Sequence, residues 1–150
     1  MAYKQELLAD VFKWLTIAKK DLIENYTSMG LKAHGKYEKD LEIVETGNGG
    51  KILSAKHWGA MEYGRKKTEK KGDVRLLDII TEWVKVKGIT PKYGTLKSMI
   101  FLITRKIHEK GIIVPRIPYN TGGVVSNVLT DDRIERLMET LKKTFIKQLK

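Results

Sequence analysis

Cysteine is absent from these 150 residues, which excludes thiol catalysis, cysteine-ligated zinc and covalent staples. No apolar run is long: Met99 to Ile103 falls far short of the roughly 20 residues that cross a bilayer. The opening Met-Ala-Tyr-Lys-Gln-Glu lacks the basic segment and apolar stretch of a signal peptide, so the chain is expected to be soluble and to act inside a cell. Proline is scarce, at three, and two of these fall between 115 and 118. Acid is in the minority, with 18 Asp and Glu against 29 Lys and Arg, a formal charge of +11. Such a surplus costs self-repulsion in the compact state and calls for an anionic partner: nucleic acid, anionic lipid or an acidic protein surface.

Motifs of chemistry are missing as well. There is no G-x-S-x-G, no Walker loop, no H-E-x-x-H and no GxGxxG after a strand. His34, His57 and His108 fall on three different expected elements. His57 with Glu62 is the one pairing that a metal could use, and an isolated histidine beside Trp58 is more often simply packed. Scattered carboxylates leave a paired-acid site open, as a third possibility that only coordinates decide. The sequence offers no catalytic residue, no cofactor site and no metal site, and the chain is read as not an enzyme.

What is present is a strong alternation of helical and turn signals over a length that fits one domain, 1–150. Apolar residues recur at three- and four-residue spacing from Lys4 to about Met29 (Leu7, Leu8, Val11, Phe12, Leu15, Ala18, Leu22, Tyr26), predicting a long helix closed by Gly30. That stripe is broad enough to serve a core or, in part, a neighbouring subunit. Residues 41–45 and 51–55 are β-prone and flank Thr46-Gly47-Asn48-Gly49-Gly50, whose Asn and Gly residues tolerate positive φ, so a hairpin is expected. A second helix is expected from Asp73, a cap, to Gly88, a stop, with Leu76, Leu77, Ile80, Trp83 and Val84 as a core face. Pro91 prevents its continuation. Thr95 caps a third helix running to Gly111, whose middle is so apolar, Phe101 and Leu102 included, that it is expected to be buried on most sides. Ile112 to Pro115 leads out as an extended segment. Residues 116–123 read as an irregular arm ordered by a neighbour, and 124–129 as a strand. A last helix covers 130–148, with Asp132 and Glu135 spaced as a capping box. The fold class is therefore α+β: a long N-terminal helix, a small antiparallel sheet with a β-hairpin, two central helices and a C-terminal helix.

Between Gly64 and Gly72 the chain reads Arg65-Lys66-Lys67-Thr68-Glu69-Lys70-Lys71, five cations and one acid with nothing apolar to bury. Mutual repulsion predicts a solvated, mobile loop that seeks an anion. The bland alternative is a solvated surface loop with no partner, since lysine runs are common on soluble domains.

This loop lies within a longer pattern: WGAMEYGRKK, then a Gly, an amphipathic helix ending EWVKVKGI, then TLKSMIFLITRKIHEKGI and a late GGVVSNVL. In that order, over roughly residues 57 to 130, the chain resembles the neck or tail-completion proteins of tailed bacteriophages, also called minor tail or head–tail joining proteins. The form with IHEKGII and an Asn-Thr-Gly-Gly segment is most similar to that of crAss-like phages. The resemblance implies a structural virion protein of the neck or tail, assembled in the host cytoplasm. It would form a homo-oligomeric ring between portal and tail that lines or surrounds the DNA channel, next to portal, neck and tail proteins. It implies no cofactor and no membrane. Under it, Arg65, Lys66, Lys67, Lys70 and Lys71 would face packaged DNA or an acidic partner ring, by non-specific phosphate contacts in the first case. Arg116, Ile117, Pro118, Tyr119, Asn120, Thr121 and Gly122 would reach a neighbouring subunit, as would the hairpin edge.

The competing class is a non-specific nucleic-acid-binding accessory protein acting as a monomer or dimer. A helix-turn-helix formed by the two central helices fits poorly. Its second helix would need polar residues near its N-terminus to read base edges, and Leu96-Lys97-Ser98-Met99-Ile100-Phe101 is expected to be buried.

Overall fold

In a computed structural model of the chain, the structure describes residues 2–54, 57–69, 74–117 and 120–149, with only the backbone of Ala2, Tyr3 and Val74. Its elements are α1 (Ala2–Ser28), α2 (Lys36–Asp40), β1 (Glu42–Thr46), β2 (Gly49–Leu53), α3 (Trp58–Tyr63), α4 (Val74–Val86), α5 (Leu96–Lys110) and α6 (Asp131–Gln148). The architecture is α+β, with a long N-terminal helix, a two-stranded antiparallel hairpin, further helices and a C-terminal helix. Contacts gather into two compact units within the chain that the sequence reads as one domain: residues 1–58 with 123–150, and residues 59–122.

The first unit is built on α1. Leu15, Ala18, Leu22 and Tyr26, at helical spacing, form its buried stripe. Gly30, at φ 69, lets the helix close on itself: its N–H donates to the Thr27 carbonyl and that of Leu31 to the Tyr26 carbonyl. The hairpin pairs Glu42 with Leu53 through Thr46 with Gly49, leaving Gly47 and Asn48 as its turn, neither of them at positive φ. Its second strand lies directly on α1, for a Cβ on Gly50 would come within 2.7 Å of Leu15 Cδ1 and 3.2 Å of Phe12. Between helix and hairpin the short α2, not foreseen from the sequence, buries Tyr37 against Tyr26 with ring centroids 4.4 Å apart.

Along the other side of α1 runs α6. Arg133 pairs with Asp21 at 2.7 Å and stands 5.7 Å from the centre of the Trp14 ring. Thr144 donates to Asp10 at 2.6 Å, and Gln148 donates to Glu6. Eleven residues separate Asp10 from Asp21 and Thr144 from Arg133, so the helices run antiparallel in one constant register. Two expectations are corrected here. Thr130 caps α6, its hydroxyl accepting from Arg133 N–H, and the capping box at Asp132 and Glu135 does not form. Residues 124–129 are a turn and not a strand. Backbone N–H groups of Asn127 and Leu129 donate four residues back, while Asn25 Nδ2 donates to the Gly123 and Val124 carbonyls at 2.9 Å and draws Val124 into full burial.

Burial, ahead of all other influences, raises the Tyr26 phenol above its ordinary 10.0. The unfolded chain therefore releases this proton at a lower pH than the folded one. Its contribution to stability is whole below pH 10 and declines as the pH climbs from 10 towards the folded value. Tyr26→Phe is expected to flatten the alkaline limb of the stability curve, measured by denaturant unfolding between about pH 9 and 12.

The second unit is a helix pair. Leu76, Ile80 and Val84 of α4 and Ile100 of α5 are buried together, flanked by Ile89, Met99, Ile103 and Ile107. Helix α4 ends at Gly88, φ 63, with Ile89 N–H donating to the Val84 carbonyl, and Thr95 caps α5 by accepting from Ser98 N–H at 3.2 Å. The proposed cap Asp73 lies outside the described residues. Two parts of the expected core are not core. Leu77 and Trp83 sit at its edge, a third exposed, and Phe101 and Leu102 are 56% and 60% exposed, so α5 is buried on one side only.

Candidate nucleic-acid interface

The basic loop leaves α3 at Gly64 and is stitched to the end of α5. Arg65 N–H donates to the Ile112 carbonyl at 2.8 Å and Ile112 N–H returns the bond at 2.7 Å, making one antiparallel bridge. Three residues on, Thr68 N–H donates to the His108 carbonyl at 2.9 Å, and the Thr68 hydroxyl lies 2.7 Å from His108 Nδ1. Arg65 Nη2 donates to the same hydroxyl at 3.2 Å. A hydroxyl can accept from the guanidinium and donate to a neutral imidazole, so one side chain ties the loop to both.

Two glycines permit this approach. Gly64 and Gly111 sit at φ 84 and φ 73, and a Cβ on either would be 2.1 Å from a carbonyl oxygen, that of Ile112 and that of Arg65 respectively. The Gly111 position also faces Lys66 C at 2.9 Å and Lys67 N at 3.0 Å, so the loop backbone crosses directly over the end of the helix. The segment is solvated at Lys66 and Lys67 as expected, but residues 64–68 are tied to the end of α5 and do not hang free of the body. Repulsion among its cations is outweighed by backbone hydrogen bonds and by the half-buried Arg65, while Lys66 and Lys67 project from that fixed backbone, exposed. Lys70 and Lys71 lie outside the described residues.

The described residues of the 116–123 segment make contacts within the chain. Arg116 and Asn120 exchange backbone hydrogen bonds, Asn120 Nδ2 donates to the Met61 carbonyl at 2.9 Å, and Asn120 Oδ1 accepts from Gly122 N–H at 2.9 Å. Arg116, Ile117 and Thr121 are exposed, Gly122 is half-buried, and Pro118 and Tyr119 lie outside the described residues.

Charge is unevenly shared. Residues 59–122 hold 14 Lys and Arg against 6 Asp and Glu, which is +8 of the total +11. Exposed Arg105, Lys106 and Lys110 crowd the last turns of α5, Arg105 paired with Glu109 at 2.8 Å. The start of α5 corrects a second expectation, since Leu96, Lys97, Ser98 and Phe101 are exposed and not buried. Leu96 and Phe101 still offer base edges no hydrogen bond, so the helix remains poorly suited to sequence readout. Among the described residues no group of three His, Asp or Glu side chains could hold a metal ion, and no helix is long and apolar enough to cross a membrane. The arrangement can offer ammonium groups to phosphate or carboxylate oxygens. Thr68 and His108, which shape it, carry no sequence signal, and Gly111 is legible only as a helix stop.

Compared with known proteins, the chain matches no family model, no curated protein and no solved structure.

Proposed function

We propose that this chain is a structural protein of a tailed-phage neck or tail, forming a ring around the DNA channel. In it Lys66 and Lys67, continued by Lys70 and Lys71, meet DNA phosphates or an acidic adjacent ring without reading sequence. The resemblance of residues 57 to 130 supports the virion role. The observation that carries the contact is the presentation of Lys66 and Lys67 on a loop backbone fixed by the Arg65–Ile112 bridge, in the part of the chain with most of the charge. Arg65 takes a different part from the lysines: half-buried and bonded to Thr68, it anchors the loop. Arg116, Ile117 and Thr121, all exposed, would reach an adjacent subunit.

The concentration of +8 in residues 59–122 equally suits an accessory protein that coats nucleic acid as a monomer or dimer. Imaging of purified particles separates the two: a symmetric collar containing this chain is expected, and a chain that retains DNA but never enters particles overturns the virion role. Lys66→Ser with Lys67→Ser is expected to leave the thermal midpoint unchanged and to lower the slope of log K against log salt by about two, measured by DNA retention. An unchanged slope removes these lysines from the interface.

A further inference from the structure

No side chain of α6 is buried, although the helix runs along α1 for much of its length. Arg133, Leu137, Leu141 and Thr144 are half-buried towards α1. Beside them a second stripe stands open: Ile134, Met138, Phe145 and Leu149, exposed by 45%, 61%, 45% and 72%. Spacings of four, seven and four residues put these on one face. Met138 and Phe145 of that face, with Leu141, line an open groove of about 670 Å³ against Leu7, Leu8 and Val11 of α1, and Ile134 and Leu149 continue the stripe beyond it. A continuous apolar lane of this kind on a charged protein marks an interaction surface.

The charges of α6 say what fits it. Its first half carries Asp131, Asp132, Glu135 and Glu139, and its second half Lys142, Lys143 and Lys147. The two cations of the first half are engaged, Arg133 by Asp21 and Arg136 by Asp132. The helix is therefore acidic at one end and basic at the other, and complementary to its own reverse. A polyanion would be repelled by the first half.

We propose that the groove is filled by α6 of a second copy, lying antiparallel about a two-fold axis. Reversed upon itself, the stripe sets Ile134 against the partner's Leu149 and Met138 against the partner's Phe145. At the outer edge Glu139 then meets the partner's Lys142, both of which line the groove. The result is a four-helix arrangement of α6 and α1 from each copy. Such a contact is isologous and closes at two copies, so it differs from the head-to-tail contact that a ring requires. It also involves none of residues 59–122, so it stands or falls apart from the DNA reading.

Sedimentation equilibrium of the full chain tests it. The 17.2 kDa chain is expected at twice its mass at tens of micromolar, about the range in which a micromolar Kd populates the pair. Glu139→Lys and Lys142→Glu, at exposed positions, are each expected to weaken the pair about tenfold, because each change sets like charges together twice across the axis. The two changes together are expected to restore it. Phe145→Glu is expected to give a monomer with unchanged circular dichroism. A wild-type monomer at every concentration overturns the proposal and leaves the groove to a different protein. A dimer indifferent to either charge reversal, or a double variant no tighter than the singles, also overturns it, even if Phe145→Glu fails to fold.

Discussion

Gly111→Ala is expected to lower the thermal midpoint by roughly 10 °C, corresponding to about 3 kcal/mol in a protein of this size. At φ 73 and ψ −163, Gly111 occupies backbone space that is almost closed to residues with a Cβ. The added carbon would also stand 2.1 Å from the Arg65 carbonyl oxygen, which is backbone and bonded to Ile112 N–H, so it cannot swing aside as a side-chain tip would. Relief requires the 65–112 bridge to part. Gly30→Ala is the control: Gly30 too is left-handed, at φ 69, but nothing lies within 4 Å of its Cβ position, so about 1 kcal/mol is expected. Equal losses in the two variants, followed by differential scanning calorimetry, would show that the approach of loop to helix contributes nothing.

Tyr37→Ala is expected to destabilise the first unit by about 3–5 kcal/mol, as loss of a large aromatic from a packed interior does. Tyr37 is 1% exposed and lies against Tyr26, so truncation leaves a cavity against α1 that the five-residue α2 is too short to fill by shifting. Tyr37→Phe keeps the ring contact and gives up only the hydroxyl, so a much smaller loss is expected. Urea unfolding of the two variants isolates the packing of the ring, and similar losses in both would contradict the packing account.

Helix ends were legible because they are written in local chemistry. Gly30, Gly88 and Gly111 stop helices where the sequence places a stop, all three at positive φ, and Thr95 caps α5 through its own hydroxyl. The hairpin followed from two short β-prone runs around a glycine-rich turn. Other features depend on partners far away in the chain. Five residues are too few to show a period, so α2 became visible only through Tyr37 meeting Tyr26. Val124 and Val125 favour a strand by type, but Asn25, about a hundred residues earlier, takes the carbonyls of Gly123 and Val124 and holds a turn. Apolar Phe101 and Leu102 were read as buried, yet an apolar residue is no guarantee of burial.

The basic loop shows the limit most clearly. Its side chains predict repulsion and motion, but what ties it down is the backbone of Arg65 and Thr68, which every residue type carries and no composition reveals. The sequence marks Gly64 as an edge of the loop and Gly111 as a helix stop, and neither reading says that the two segments cross closely.

That tether has a thermodynamic consequence. A floppy lysine run gives up about 1–2 kcal/mol of backbone freedom per residue when it settles on another molecule. Residues 65–68 surrendered that freedom when the protein folded, so an arriving phosphate has only the stems of Lys66 and Lys67 left to arrest. Under the proposed function, contact with a phosphate would then cost less conformational entropy than it would for a floppy run.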